Sequence, residues 1–203
     1  MKITELKKKR NWDILLIGGA SGCGKSKLSH SISNYYGINI VEVDDFQTML
    51  EAMTSPTNFP CIHYWDTHPN WRNEGVNSAV NHLIDIGKEL MKGLTAVIND
   101  HIESNTPMIL EGDFILPELA ASFKNPRVKS IFICESSQEQ IMQNYLNRER
   151  DMQDYRAQIS YAYGNWLKEN CLKYGLNIIE SRPWDTRLTR AIDSLTNKSP
   201  SHP

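Results

Sequence analysis

Gly19-Ala20-Ser21-Gly22-Cys23-Gly24-Lys25-Ser26 decides how this chain is read. The stretch fits G-x-x-x-x-G-K-[ST], and its glycines let the backbone turn so that several N–H groups aim inward at phosphate oxygens. Upstream, Asp13–Gly18 is a short apolar run of strand length. Downstream, residues from Lys25 to Tyr36 carry Leu28, Ile32 and Tyr36 at helical spacing, with Gly37 as a stop. A loop between a strand and a helix sets the positive end of the helix against the phosphates. Gly19 to Ser26 are therefore the expected nucleotide contacts. Lys25 should reach the β- and γ-phosphates and Ser26 should offer its hydroxyl to Mg²⁺, the expected partners being ATP and Mg²⁺. The Cys23 side chain is incidental to this role, though open to oxidation.

The rest of the chain alternates strand and helix. Ile38–Val43 reads as a second strand, Met108–Glu111 as a third, Val128–Cys134 as a fourth and Leu176–Glu180 as a fifth. Between the second and third lie an irregular, aromatic-rich segment, 47–73, and a long helix whose apolar positions run from Val76 to Ile102, with Asn73 as its N-cap. Ser137-Gln-Glu-Gln140 is a capping box opening another helix. Tyr155–Cys171 is helical, and the last helix shows Leu188, Ala191, Ile192 and Leu195. Short apolar strands alternating with helices predict an α/β fold, a five-stranded parallel sheet with helices on both faces. In such sheets the ligand sits at the carboxyl ends of the strands. The whole of 1–203 is expected to form one domain, with 47–73 an acceptor-binding insertion, about 147–155 a lid and 197–203 a disordered tail.

Composition narrows the function classes. The 203 residues carry a formal net charge of −2, which gives no bulk attraction for nucleic acid or membrane. The run Lys7-Lys8-Lys9-Arg10 is short and reads as a solvated arm. No apolar run is long enough to span a bilayer, and no signal-peptide core follows the N-terminal lysines. The four cysteines are scattered without a paired motif, so a reduced, cytoplasmic protein is expected, as monomer or homodimer.

Carboxylates stand at two strand ends. Asp44 and Asp45 follow the second strand, which is expected to adjoin the first. A carboxylate there can face the γ-phosphate as base or metal ligand, while one of the pair caps the next helix. Glu111-Gly112-Asp113 ends the third strand. Either acid can hold Mg²⁺ through water, or the trio is simply a turn glycine between exposed acids.

Gly19–Ser26, Asp44-Asp45-Phe46, Asp66-Thr-His-Pro69, Glu111-Gly112 and Arg148–Asp151 together resemble the P-loop small-molecule kinases of the uridine kinase type. That group includes nicotinamide riboside kinases and, more distantly, 2-phosphoglycerate kinases. The resemblance covers most of residues 13–152 and implies a three-layer P-loop NTPase fold with a small lid. It also implies that Asp44 is the general base on the acceptor hydroxyl and that Asp66 holds acceptor hydroxyls, with Asp45 beside them. Two features depart from the pattern. Residues 59–71 are bulkier than a uridine kinase would need, and the lid reads Asn147-Arg-Glu-Arg-Asp151.

Arg148 and Arg150 can stabilise the moving phosphoryl group, or serve only as cations at a helix end. Tyr64, Trp65 and Trp71 can stack on a flat acceptor, or fill the core. Cys61, His63 and His68 match no zinc spacing. After the fifth strand, Arg182 is a candidate for packing on adenine, while Trp184 reads as core. The sequence thus points to an ATP-dependent kinase acting on a hydroxyl of a small nucleoside-like or sugar-acid-like molecule. A nucleotide kinase would need more arginines in 47–73 than Arg72. A regulatory NTPase acting on a protein partner is the third reading. A GTPase would need Asn-Lys-x-Asp, whereas the chain has only Asn197-Lys198-Ser-Pro.

Overall fold

A computed structural model describes residues 9–196. The expected tail at 197–203 and Lys7 and Lys8 of the basic arm lie outside those residues. Arg10 is not simply solvated, because its guanidinium donates to Asp13 at 3.4 Å.

In chain order the elements are β1 (Ile14–Gly18), α1 (Lys25–Tyr36), β2 (Ile40–Glu42), α2 (Val43–Met53), α3 (Tyr64–Thr67) and α4 (Val76–Glu103). There follow β3 (Met108–Gly112), α5 (Pro117–Ser122), β4 (Val128–Cys134), α6 (Gln138–Glu149), α7 (Asp154–Tyr174), β5 (Ile178–Glu180) and α8 (Arg187–Thr196). The five strands pair in parallel in the order β2-β3-β1-β4-β5. β2 therefore does not adjoin β1 as expected; β3 lies between them, with Gly18 in register with Gly112. Adjacency in sequence does not set adjacency in a sheet whose crossovers are long helices.

Alternation along each strand divides two cores. Ile14, Leu16, Met108, Leu110 and Phe132 face the layer built from α4, α5 and α7. Leu15, Ile17, Ile109, Ile131 and Ile133 face α1 and α8. A parallel sheet covered on both faces needs such uninterrupted apolar strands. At the sheet edges, β2 and β5 are short and only partly buried.

Three further expectations change. β2 stops at Glu42 and Val43 opens α2, so 47–73 is not irregular at its start. Neither Asp44 nor Asp45 caps α2. Both lie within its first turn, where their charge suits the helix dipole, and Glu42 at the N-cap makes no side-chain bond. The long helix starts after Gly75 and not at Asn73, which sits in a 3-10 turn, Trp71–Glu74. Gly75 has φ 87°, a backbone conformation that favours glycine. Ser137 does cap α6, accepting from the Gln140 N–H at 3.1 Å, but the Gln140 side chain reaches Asn144 and leaves the box half formed.

Candidate active site

The phosphate loop joins β1 to α1 and is set by contacts from three directions. Gly19 (φ 147°) lies against β4, where an added Cβ would stand 2.5 Å from the Ile133 carbonyl oxygen. Gly24 (φ 90°) caps α1 and passes beneath Arg187 and Trp184. The Asn144 side chain donates to the Gly22 carbonyl at 2.8 Å, and the Ser181 hydroxyl donates to the Cys23 carbonyl. Cys23 points into the second core, and burial pushes its thiol up to about 11, which leaves it protonated and unreactive at neutral pH.

Lys25 is 6% exposed. Its ammonium donates to the Ala20 carbonyl at 3.3 Å, pairs with Asp113 and lies 3.9 Å from Glu111. Burial alone would lower its proton affinity. Asp113, with Glu111 adding, reverses that and holds it above the ordinary lysine range. Lys25 is thus a fixed, fully charged cation. Burial raises the Glu111 carboxyl against the opposing pull of Lys25 and a hydrogen bond from Ser26. Asp44 reaches solvent at the rim, yet its surroundings raise it, first by desolvation and then through Asp113.

These groups line a cleft of about 670 Å³, bounded by the phosphate loop, the ends of β2 and β3, and α6. Gln140, Asn144 and Arg148 of α6 and Trp184 and Arg187, which follow β5, also line this cleft. Trp184 is 41% exposed, with the Arg187 guanidinium 5.1 Å from its ring centroid. It is therefore not a core residue, because its loop ends β5 at the rim of the sheet. Arg187 also donates to the Gly24 carbonyl at 3.1 Å. Arg182 turns away, held by both oxygens of the buried Glu135 at 2.7 and 3.0 Å. Such a two-pronged pair is a strong anchor, and Arg182 does not line this cleft.

A second cleft of about 590 Å³ opens beside the first and shares Ser21 and Asp113 with it. Its walls are the 65–83 segment and the start of α7. Trp65 and Trp71 stand edge to face at 4.7 Å, and the Tyr155 hydroxyl crosses over to the Arg72 carbonyl at 3.0 Å. Tyr163, buried beneath, donates to the Asp113 carbonyl at 2.8 Å and so fixes the backbone of that residue.

The structure brings most, though not all, of the expected residues together. Lys25, Ser26, Asp44, Glu111, Asp113 and Arg148 line the phosphate-loop cleft, and Trp65 and Trp71 the second. Asp45, Asp66 and Arg150 line neither and are exposed. Arg150 ends α6 in a left-handed conformation. Tyr64 is buried, stacked against His82 and bonded to Glu74 at 2.8 Å, so it braces the wall from behind. His63 is engaged with Thr54 at 2.9 Å. Among the described residues no three His, Cys, Asp or Glu side chains converge as a metal cage. A magnesium ion between Ser26 and Glu111 would take most of its shell from phosphate and water, which is how that ion is usually held.

Sequence reasoning missed Asn144, Arg156 and Arg187. Gln140, Asn144 and Arg148 recur every fourth residue, a polar helix face that was visible as a signal.

No family model matches the chain. The 2-phosphoglycerate kinase of Methanopyrus kandleri is 21% identical over 95% of this chain and 63% of its own length. That of Methanothermobacter thermautotrophicus is 24% identical over 90% of this chain and 65% of its own. The chain thus spans somewhat less than two thirds of these curated relatives. Among solved structures, the shikimate kinase of Acinetobacter baumannii, in complex with shikimate, superposes with a TM-score of 0.53 at 12% identity, over 93% of this chain and 97% of its own. The fold is the α/β fold of P-loop NTPases. Among the described residues no helix is long and apolar enough to cross a membrane.

Proposed function

We propose that this chain, whose fold is that of P-loop NTPases, transfers the γ-phosphoryl group of ATP to a hydroxyl of a small molecule. One observation carries the reading. The cleft holding the buried cation Lys25 adjoins, at Ser21 and Asp113, a second cleft with an aromatic wall. A donor and an acceptor bound side by side would meet at that junction, as in-line transfer requires.

In this reading the loop N–H groups and Lys25 grip the β- and γ-phosphates. Trp184 and Arg187 border the base, opposite Gln140 and Asn144. Ser26 and Glu111 would hold Mg²⁺, which when bound neutralises phosphate charge, and Asp113 adds a carboxylate nearby. Arg148 lines the cleft with its guanidinium paired to Glu149 at 2.5 and 3.1 Å, and would have to leave that pair to offset charge as the phosphoryl group moves; Arg150 would have to swing in with the lid. The acceptor oxygen bonds to the γ-phosphorus as the bond to the β–γ bridging oxygen breaks, and ADP leaves with that electron pair. The acceptor proton goes to a carboxylate. Asp44 is the residue the family resemblance implies. Asp113 is a second candidate, favoured because it lines both clefts whereas Asp44 lines only the first.

The test is ATP consumption against a panel of nucleosides, sugar acids, phosphoglycerate and hydroxylated antibiotics, with Asp44→Asn and Asp113→Asn beside the wild type. The variant that loses transfer while binding ATP within a few-fold of wild type marks the base. Wild-type turnover in Lys25→Ala would sink the kinase reading as a whole.

A further inference from the structure

The charges around the second cleft are unequal in availability. Three carboxylates line it, Asp113, Asp151 and Asp154, together with two guanidinium groups, Arg72 and Arg156. Arg156 is committed. Its Nη1 donates to both oxygens of Glu149 at 2.9 and 3.0 Å, and its guanidinium lies 4.5 Å from the Tyr145 ring centroid. Arg72 pairs with no carboxylate among the described residues. Its guanidinium rests 5.1 Å from the Trp71 ring centroid, and its backbone is pinned by the Tyr155 hydroxyl. The cleft thus presents one cation without a carboxylate partner among the described residues, beside an aromatic wall, with Asp113, paired to Lys25, shared with the first cleft.

Each part selects a chemical feature. A guanidinium offers two parallel N–H donors, which match a single carboxylate. The Trp65–Trp71 shelf favours the face of a ring over an open polar chain. Asp113 is neutralised by its pair with Lys25, so Asp151 and Asp154 are the uncommitted carboxylates beside one free cation, and they disfavour an acceptor that carries several negative charges.

We propose that the acceptor is a hydroxylated ring compound bearing one carboxylate. Arg72 takes the carboxylate, the ring lies against the tryptophan shelf, and the reacting hydroxyl turns toward Asp113. This rests on the kinase reading and names its substrate class. It sets the chain apart from relatives named for 2-phosphoglycerate, which carries both a phosphate and a carboxylate.

The test measures MgATP consumption with four probes: shikimate and quinate as ring monocarboxylates, uridine as an uncharged ring, and 2-phosphoglycerate as a multiply charged chain. One of the ring acids should exceed the other two probes in kcat/KM by at least about 10-fold, the factor expected from one charged hydrogen-bonded contact. Arg72→Gln should raise KM for that acid by about 10-fold or more, leaving kcat within about 3-fold and MgATP affinity unchanged, because the lost contact binds ground and transition states alike. Arg72→Lys, which keeps the charge and loses the fork, should fall between. Equal or better use of uridine or 2-phosphoglycerate overturns the proposal. So does an unchanged KM in Arg72→Gln, or silence from both ring acids. Calorimetric titration with MgATP separates the two levels. If wild type binds MgATP and Lys25→Ala does not, silence removes only the acceptor class; if wild type does not bind it, the kinase reading falls.

Discussion

Lys25 and Asp113 form an ion pair at the junction of the two clefts, although 88 residues separate them in sequence. The parallel register of β1 with β3 brings the two strand ends together. Asp113 faces both clefts, and Lys25 faces the phosphate loop side. Removing either partner has consequences for folding as well as for binding.

Asp113→Ala leaves the buried Lys25 ammonium with Glu111 at 3.9 Å as its remaining carboxylate. The expected destabilisation is about 2 kcal/mol, below the ~3–5 kcal/mol typical when a buried charge loses its whole partner. Urea unfolding measures it. If phosphate oxygens replace the missing carboxylate, MgATP should raise the melting temperature more in the variant than in wild type.

Two of the three loop glycines, Gly19 and Gly24, should differ in their tolerance of alanine. At Gly24 an added Cβ meets the tip of Arg187 at 2.7 Å, which can swing aside; at Gly19 it meets the Ile133 backbone oxygen at 2.5 Å, which cannot. Gly24→Ala should lose about 1–2 kcal/mol from its left-handed backbone, and Gly19→Ala more, because β4 must shift. Thermal unfolding of the two variants checks the order.

Trp184→Ala should lower ATP affinity about 10-fold, roughly the 1–2 kcal/mol range of a stacking contact. With Trp184 41% exposed, the change in unfolding free energy should stay within about 1 kcal/mol. A core tryptophan would give the reverse pattern, a loss of about 3–5 kcal/mol. Calorimetry and urea unfolding on the same preparation distinguish the outcomes.

Stability should fall as pH drops below about 6.5, where free histidines begin to protonate. Desolvation lowers His82, against the opposing pull of Glu74, so the folded state binds fewer protons than the unfolded one in that window. Its ring stacks on Tyr64 with centroids 3.3 Å apart, behind the tryptophan wall. Glu74, His68 and Asp85 are the other ionisable groups acting on it. His82→Gln should flatten this limb of the melting temperature against pH, and an unchanged limb would remove His82 as its cause.

The phosphate loop was legible because its chemistry is local. Eight consecutive residues carry the turn, the cation and the hydroxyl, and the flanking periodicities of β1 and α1 follow from near neighbours. Strand content was likewise readable, since strands buried on both faces have no polar positions to disguise them.

Other features depend on neighbours distant in the chain. That β3 separates β2 from β1 follows from helix crossovers packing on a twisted sheet, which residue spacing does not encode. That Tyr64 braces the wall while Trp71 lines it, that Arg182 is spent on Glu135 while Trp184 is exposed, and that Arg72 stays free while Arg156 is taken were decided by long-range contacts. By itself, the sequence determined a strand, a glycine-rich loop carrying Lys25 and Ser26, and a helix, the pattern of a phosphate-binding loop. Only the tertiary structure decided which carboxylates and arginines meet that loop, because burial and pairing are properties of the packed chain.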